Sequence, residues 1–320
     1  MLSTIYEPVQ EDLVRVEARL RSVGEVDFPR LSKLLAHSLK GGGKRIRPAL
    51  VLLSGKFYHY DPGYLLPMAT AVEILHTATL VHDDAIDNSA VRRGRPTINK
   101  MWGEDKAILL GDYLLGKSQE LVADTQNLRV MRLFAQTFMT ISSGELNQAF
   151  SAFNLEQTRE QYLQRISSKT ACLLSLATES GAILSQAPEK SVRALKGYGH
   201  NLGIAFQIVD DILDFIGTEE EMGKPVGSDL AQGTLTLPAI LLLERYPEDN
   251  PVRRLFQNED RQRNIGLAME LVRNSSIAEE CYAVASDYCA RACSNIKQLP
   301  DNASRRSLIE LADYVVKRRK

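Results

Sequence analysis

The sequence has few cysteines and no long apolar run. Its four cysteines include no CxxC pair, so the spacing typical of zinc ribbons and thioredoxin-like redox sites is missing. The longest apolar runs, such as residues 239–243, fall far short of the ~20 residues that span a bilayer. Residues 1–11 show no basic segment followed by an apolar core. These absences predict reduced, buried thiols in a soluble, cytoplasmic protein.

The chain also lacks an excess of charge of either sign. Its 39 Lys and Arg and its 40 Asp and Glu leave a formal net charge of −1 at pH 7. No global field therefore draws the protein to nucleic acid or to an anionic membrane. A hydrophobic content of 44 % and a charged content of 25 % are ordinary for a globular protein. Any polyanion must be held by local clusters of basic residues.

Strand alternation, Asn-Gly hairpin signals and internal repeats are missing as well. The hydrophobic periodicity instead predicts a succession of helices separated by glycine and proline. The predicted helices cover residues 3–23, 27–40, 46–59, 64–87, 103–124, 127–150, 156–184, 188–216 and 234–246, with several more from 252 onward. No low-complexity linker divides the chain. We therefore expect an all-α protein with one domain over residues 1–320.

Two long irregular segments, 88–102 and 217–233, each follow an aspartate cluster of the form DDxxD at the end of an apolar helix. Long loops within a compact helical domain are often functional. The six aspartates are Asp83, Asp84 and Asp87 in the first cluster, and Asp210, Asp211 and Asp214 in the second.

The spacing within each cluster points to a bound cation. Residues i and i+4 share a helix face with Cβ atoms about 5–6 Å apart, which pairs Asp83 with Asp87 and Asp210 with Asp214. Like charges at that distance repel, and carboxylates near a helix C-terminus oppose the macrodipole. Carboxylate oxygens suit Mg²⁺, which bridges to substrate phosphates. The alternative is a pair of solvated acidic helix ends without a ligand.

Basic residues lie where a magnesium-bound polyanion needs them. The segment GGGKRIRP at 41–48 places Lys44, Arg45 and Arg47 after three glycines, and Arg92 and Arg93 follow the first cluster. Guanidinium groups match phosphate oxygens, although the GxxxxGK[ST] spacing of a Walker A loop is absent. As an alternative, the glycine segment is a solvated turn. Further candidates are His76, Lys169, Thr170 and Lys224, each of which has a surface or structural alternative.

Together, these features resemble the trans-isoprenyl (polyprenyl) diphosphate synthase family, of the long-chain type. The resemblance rests on GGGKRIRP at 41–48, on DDAID with the two following arginines, and on QIVDDILD and GKPVGSDL within residues 207–230. It implies an all-α bundle around a deep central cavity, with the two aspartate motifs facing each other across its mouth. It further implies Mg²⁺ as cofactor, isopentenyl diphosphate and allylic diphosphates as substrates, and a homodimer or a related heteromer.

The resemblance also implies roles for individual residues. Asp83, Asp87 and Asp210 would be Mg²⁺ ligands, and Asp84, Asp211 and Asp214 would complete or support the metal shell. Arg92, Lys169 and Lys224 would hold the allylic diphosphate, with Thr170 and Gln207 lining its site. Lys44, Arg47, His76 and Arg93 would bind isopentenyl diphosphate without a metal.

The helix before the first motif bears on product length. One helical turn is about 5.4 Å, so Thr79 lies one turn before Asp83 on the same face, with Ala78 beside it. In the resembled family, bulky aromatics at these positions go with short products and small residues with long ones. Small side chains here predict geranylgeranyl or longer products, most of all hexaprenyl to decaprenyl. Phe134 and Phe138 are candidates for the cavity floor.

Other readings of the same motifs remain. A geranylgeranyl diphosphate synthase would share every motif, and a noncatalytic subunit of a heteromeric synthase would usually have lost aspartates or arginines that this chain retains. A class I terpene cyclase would typically carry an NSE-type second metal motif instead of a repeated DDxxD. A lipid product could also bring the protein to a membrane surface. The carbon count, the need for a second subunit and the downstream pathway are not encoded in these motifs.

Overall fold

The regular structure is almost entirely α-helical in the computed structural model, which describes residues 2–39, 42–218 and 226–318. The helices are α1 Leu2–Ile5, α2 Gln10–Ser22, α3 Pro29–Leu39, α4 Ile46–Gly55, α5 Pro62–Ile86, α6 Ile98–Trp102, α7 Glu104–Ala123, α8 Leu128–Phe150, α9 Arg159–Ile166, α10 Cys172–Leu184, α11 Glu189–Ile216, α12 Ser228–Ala231, α13 Leu237–Arg245, α14 Pro251–Phe256, α15 Arg261–Arg273, α16 Ile277–Asn295 and α17 Ala303–Lys317. The prediction of an all-α fold is confirmed.

Local differences from the predicted helices have clear causes. The predicted helix 3–23 is broken near Pro8, where a 3₁₀ turn, Glu7–Val9, separates α1 from α2. The predicted helix 156–184 contains a π-helical turn, Ser167–Ala171, between α9 and α10. Such insertions leave the 3.6-residue periodicity of the flanking segments intact, so the sequence pattern does not reveal them.

A short antiparallel ribbon lies in segment 88–102, which the sequence predicted to be irregular. Strand β1 Val91–Arg92 pairs with strand β2 Arg95–Pro96. The two residues between them, Arg93 and Gly94, have φ angles of 51° and 71°. Positive φ at both central residues is the geometry of a type I′ hairpin turn, whose twist matches that of the strands. Two-residue strands are too short to show alternation in the sequence.

The contacts of the chain cluster into two compact units. The first consists of Met1–Thr137, Leu173–Gly199 and Cys293–Leu311, and the second of Phe138–Cys172, His200–Ala292 and Ala312–Lys320. Each unit draws on segments that are distant in sequence. The expected single domain over residues 1–320 stays a prediction.

Helix α5 is the core helix of the first unit. Its N-cap is Asp61, whose side chain accepts a hydrogen bond from the backbone N–H of Gly63, and Pro62 is its first residue. It packs against α2, α3, α4, α6 and α7. Among the described residues, α5 is the one helix long and apolar enough to cross a membrane, but 72 % of its most apolar window is buried in the protein. That burial is what a core helix requires.

The second unit is organised around the C-terminal half of α11. Gly203 of α11 lies against Ala171, where an added Cβ would come within 2.4 Å of the Ala171 Cα, so only glycine allows this approach. The side chain of Arg273 donates hydrogen bonds to the carbonyls of Phe215 and Gly217, each at 3.0 Å. These carbonyls end α11, where they lack helical N–H partners. Helix α15 thereby fixes the end of the helix that carries the second aspartate motif.

Candidate functional site

The first aspartate motif lies at the C-terminal end of α5. Asp83 is half-buried and Asp87 is exposed, and Asp87 caps the helix through its N–H, which lies 2.8 Å from the carbonyl oxygen of Asp83. This backbone bond does not involve the carboxylates, so the pairing of the Asp83 and Asp87 side chains stays a prediction. Two accessible carboxylates at a helix end can bind a hard cation.

Asp84, the middle aspartate, has a different environment. It is only 6 % exposed, and its Oδ1 accepts a hydrogen bond of 2.7 Å from Nε of Arg92. Burial raises the pKa of Asp84, and the charge and hydrogen bond of Arg92 oppose that rise. Asp84 therefore orients Arg92, a predicted diphosphate ligand, instead of facing solvent as a second metal ligand would.

A basic cavity adjoins this motif. Of the residues predicted to bind diphosphate, His76, Arg92 and Arg93 line it together with Asp84. Arg93 is held at the tip of the hairpin turn, where its Nη1 donates to the carbonyl of Gly42 at 2.7 Å. The structure thus brings a predicted arginine against the glycine segment.

His76 is neutral in this environment. Burial and the charges of Arg47, Arg93, Arg92 and Arg45 lower its pKa well below the ordinary value of 6.5. A neutral imidazole can donate one hydrogen bond and accept another. It can therefore contribute a directed hydrogen bond to a diphosphate within a cavity whose positive charge comes from the arginines.

Two predicted residues of the glycine segment lie outside the wall of this cavity. Lys44 is exposed, and its backbone carbonyl accepts a hydrogen bond from the hydroxyl of Tyr6. Arg47 is half-buried, and its positive charge lowers the pKa of His76 in the cavity wall. Their roles in binding diphosphate stay predictions.

Arg45 of the glycine segment and Glu73, which the sequence analysis missed, also line the cavity. Arg45 donates to Glu73 Oε1 at 2.7 Å and pairs with Glu17 on its other side. A signal for Glu73 existed, because it precedes His76 by three residues and therefore shares its helix face. Its pairing with Arg45, which lies on a distant segment of the chain, cannot be derived from spacing.

In the second motif, Asp211 is the most strongly held aspartate. It is 3 % exposed and accepts hydrogen bonds from the Tyr162 hydroxyl at 2.7 Å and from Gln207 Nε2 at 2.8 Å. The hydroxyl of Thr170 in turn donates to Oε1 of Gln207 at 2.6 Å. Burial raises the pKa of Asp211, and the charge of Asp229 adds to the rise. Thr170, Gln207 and Asp211, all predicted site residues, thus form one hydrogen-bonded chain.

Asp214, the last aspartate of the motif, is buried and faces the following loop. Its carboxylate accepts hydrogen bonds from the Ser228 hydroxyl at 3.1 Å and from the backbone N–H of Asp229 at 3.3 Å. These contacts anchor the start of α12. The predicted role of Asp214 as a metal ligand stays a prediction, and Lys224 lies outside the described residues.

Asp210, the first aspartate of this motif, has a partly exposed side chain and pairs with Arg318 near the C-terminus. The Arg318 guanidinium carbon also lies 4.3 Å from the centre of the Phe206 ring. Burial lowers the pKa of Arg318 to about 10, which still leaves the group charged at neutral pH. A cation therefore already occupies the side of Asp210 on which a metal ion could bind.

Lys169 lies in the π-helical turn Ser167–Ala171, a type of distortion frequent at functional sites. Its Nζ lies 2.8 Å from an oxygen of Glu145 on α8. The pair keeps the ammonium of this predicted diphosphate ligand at a defined position. Three N–H donors on one ammonium can serve a carboxylate and a phosphate at once.

The residues predicted to bear on product length lie within α5 and α8. Ala78 is fully buried, and Thr79 is half-buried with its hydroxyl donating to the His76 carbonyl at 2.9 Å. Phe134 is buried and Phe138 is half-buried. Their part in limiting the product stays a prediction.

Comparison with known proteins identifies the family. The profile of the family described as Polyprenyl synthetase matches residues 28–272. The chain belongs to the polyprenyl synthetase family. Within that family it is 39 % identical to the heptaprenyl diphosphate synthase component 2 of Bacillus subtilis (strain 168), over 98 % of this chain and 90 % of the relative.

Solved members of the polyprenyl synthetase family share the fold over the whole chain. A decaprenyl diphosphate synthase from Rhodobacter capsulatus matches with a TM-score of 0.92 and 39 % identity, covering 100 % of both chains. A polyprenyl synthase from Caulobacter crescentus CB15, complexed with calcium and isoprenyl diphosphate, matches with a TM-score of 0.96 and 32 % identity, covering 100 % of this chain and 98 % of that one. At these identities, the chain is a prenyltransferase of this family.

The donor set of this polyprenyl synthetase fits a metal ion that completes its shell from the substrate. Among residues 2–39, 42–218 and 226–318, no three acidic, histidine or cysteine side chains converge on one point. Mg²⁺ commonly takes one or two carboxylates and fills its remaining positions with water and substrate phosphates. Asp83 and Asp87, the accessible aspartates of the first motif, are sufficient for that mode of binding, whereas in the second motif Asp210 is paired with Arg318.

Proposed function

We propose that this chain is a magnesium-dependent trans-polyprenyl diphosphate synthase that adds isopentenyl diphosphate units to an allylic diphosphate. The observation that carries the proposal is the basic cavity next to the first motif, with neutral His76 and two arginines beside the accessible pair Asp83 and Asp87. A site for one metal-bound and one metal-free diphosphate needs this combination. Membership of the polyprenyl synthetase family supports the same reaction.

The proposed reaction breaks an allylic carbon–oxygen bond, captures the cation with the double bond of isopentenyl diphosphate, and ends with loss of a proton from the adduct to the released diphosphate. Magnesium, when bound, supplies positive charge against the departing diphosphate. Arg92, oriented by Asp84, holds oxygens of this diphosphate in place. Lys169, held by Glu145, keeps its predicted role as a diphosphate ligand. Arg93 and His76 hold isopentenyl diphosphate so that its double bond meets the cation, which is a proximity effect.

We propose that the product is long, in the range of hexaprenyl to decaprenyl. Ala78 and Thr79 place two small side chains on α5 about one turn before Asp83, and the relatives named above include heptaprenyl and decaprenyl synthases. Geranylgeranyl diphosphate is the alternative product. The two kinds of product differ in the length of their hydrocarbon chain, which a single product assay resolves.

We further propose a cytoplasmic homodimer, formed through α7 and α8. Leu109, Tyr113 and Gly116 follow one face of α7, and the two side chains are exposed while a Cβ at Gly116 would meet nothing within 4 Å. Met139, Leu146 and Phe150 extend a second exposed apolar stripe along α8. Apolar stripes of this size on two helices favour burial against another chain.

A different subunit is the alternative occupant of that face. The Bacillus subtilis relative is named as component 2 of its synthase, which implies a further component for that protein. An assembly of two different subunits would also be consistent with the alternative that this chain is a noncatalytic subunit of a heteromeric synthase.

Product analysis of the purified chain tests the proposal. The chain is supplied with farnesyl diphosphate, labelled isopentenyl diphosphate and Mg²⁺, and the dephosphorylated products are resolved by length. We expect a ladder of long products that a chelator abolishes. Products ending at geranylgeranyl would favour the alternative enzyme. A folded chain that incorporates no label would contradict self-sufficient catalysis and favour a subunit that needs a partner.

A further inference from the structure

We propose that Glu73 is a positioning residue for isopentenyl diphosphate, because it fixes Arg45 and Arg93 at the base of the basic cavity. The proposal rests on the function proposed above and adds a residue that neither the motifs nor the family resemblance assigned. Its evidence is a set of contacts among Glu73, the glycine segment and the hairpin turn.

The cavity concentrates positive charge. The charges of Arg45, Arg47, Arg92 and Arg93 all lower the pKa of His76, so all four groups act on one point. Four like charges repel one another before any diphosphate arrives. A ligand-free protein that keeps them together needs buried negative charge.

Two carboxylates on the cavity wall supply that charge. Asp84 is bonded to Arg92. Glu73 is 6 % exposed, accepts a hydrogen bond of 2.7 Å from Arg45 Nη1, and its charge raises the pKa of Arg93 against the effect of burial. Glu73 is therefore the anion common to Arg45 and Arg93, two of the three arginines that Asp84 does not hold.

The backbone around Arg45 shows how tightly these groups are fitted. A Cβ at Gly43 would lie 3.3 Å from Arg93 Nη1, 3.4 Å from Arg45 Nη1 and 3.9 Å from Glu73 Oε1. Glu73, Arg45 and Arg93 thus converge on Gly43. Arg45 itself has a φ angle of 50° at the N-terminus of α4, an unusual conformation for a residue with a side chain. Its ion pairs with Glu17 and Glu73 hold it there.

Two effects of Glu73 on a bound diphosphate have opposite signs. Its negative charge opposes a second anion in the same cavity, so losing the charge would strengthen binding if Arg45 and Arg93 kept their positions. Its ion pair with Arg45 and its charge beside Arg93 hold two guanidinium groups whose fixed geometry matches phosphate oxygens, so losing these charge interactions would weaken binding. The dense contacts around Gly43 favour the second effect.

The experiment measures isopentenyl diphosphate binding without Mg²⁺ by calorimetry, and then the KM of each substrate with Mg²⁺. The test variant is Glu73→Gln, which keeps the size of the side chain but removes the charge that holds Arg45 and Arg93 in place. We expect the Kd and the KM for isopentenyl diphosphate to rise about tenfold, while kcat and the KM for the allylic substrate stay within about twofold of the original values. That split would not follow from a general loss of structure.

The matched control is Glu179→Gln. Glu179 is also a buried glutamate on a helix of the first unit, and it does not line the cavity. Its Oε2 lies 3.1 Å from Nζ of Lys196. We expect its substitution to leave both substrate affinities unchanged. If Glu73→Gln does not fold, Arg45→Lys tests the same contact, because it keeps the charge but loses the planar fork, and the same rise in Kd is expected.

The outcomes separate this inference from the proposed function. Unchanged or tighter isopentenyl diphosphate binding by a folded Glu73→Gln variant would overturn the positioning role, while an active parent chain would leave the synthase function standing. A parent chain that neither binds isopentenyl diphosphate nor turns over would overturn the proposed function, and this inference with it.

Discussion

Individual aspartates within the two DDxxD motifs differ in what they contact. The middle residues, Asp84 and Asp211, are buried and accept hydrogen bonds from protein donors. Such bonds offset the cost of burying a carboxylate. Asp83 and Asp87 keep more accessible carboxylates. One motif therefore combines groups suited to metal with a group that orients Arg92.

We expect Asp83→Ala to lower turnover by at least about 100-fold, because it removes a predicted metal ligand. Losing a ligand costs more activity than losing a residue that only supports a ligand. Steady-state kinetics across a Mg²⁺ titration measures the change. Asp124→Ala, at an exposed aspartate that ends α7, should behave like the parent chain. Near-normal turnover of Asp83→Ala at limiting Mg²⁺ would show that the metal is held elsewhere.

His76 makes stability depend on pH. In the folded chain its pKa lies well below 6.5, so below that pH the unfolded chain binds more protons than the folded one. The free energy of unfolding therefore falls as pH drops through about 6.5. We expect His76→Gln to reduce the fall between pH 7.5 and 5.5 by up to about 1 kcal/mol.

Urea unfolding at the two pH values measures this difference. The control is His59→Gln, at a histidine exposed on the surface of the same unit. An equal pH dependence in His76→Gln and the parent chain would mean that the pKa of His76 is the same in the folded and the unfolded chain.

Spacing along the chain indicated candidate site residues but not their partners. The pairing of Asp83 with Asp87 follows from helix geometry alone. By contrast, the pairs formed by Arg45 with Glu73 and by Asp210 with Arg318 join residues 28 and 108 positions apart. Nothing local in a sequence specifies such contacts, since they depend on how helices pack.

Helix α5 joins stability and function in one element. Its N-terminal cap and its buried face make it the core of the first unit, and its last turn carries the first motif. Gly111 of α7 lets this helix pack closely, because a Cβ there would lie 2.1 Å from His82 Nε2. The sequence predicted this helix almost to its ends, whereas the π-helical turn that carries Lys169 leaves no mark on the periodicity.

We expect Ala78→Phe to shorten the product, because a large ring would project from α5 near the tail of a substrate bound at Asp83. Ala71→Phe is the matched variant, since Ala71 lies seven residues earlier, about 10 Å down the same helix face. It should permit longer products than Ala78→Phe does. Both positions are fully buried, so either ring costs about 1–3 kcal/mol of stability. Product lengths equal to the parent's in both folded variants would mean that the tail runs past another face.

At the level of the whole molecule, the sequence predicted the fold class but not the division of contacts into two units. Each unit combines segments from both halves of the chain, and contacts between distant segments have no periodic signature. The exposed apolar stripe of α7 is equally hard to recognise, because Leu109 and Tyr113 fit a core position as well as an interface. Exposure in the folded chain is what distinguishes the two.

We expect Leu109→Lys to convert a dimer into monomers. Leu109 is the first residue of the α7 stripe and is 67 % exposed, and a buried, unpaired ammonium at an interface costs several kcal/mol. Sedimentation velocity at several protein concentrations measures the mass. Val14→Lys, at a residue 61 % exposed on α2, should keep the parent's mass, because α2 lies outside the proposed interface. A Leu109→Lys dimer as stable as the parent's would place the interface on another surface, and a monomeric parent chain would favour a different subunit as the partner of this face.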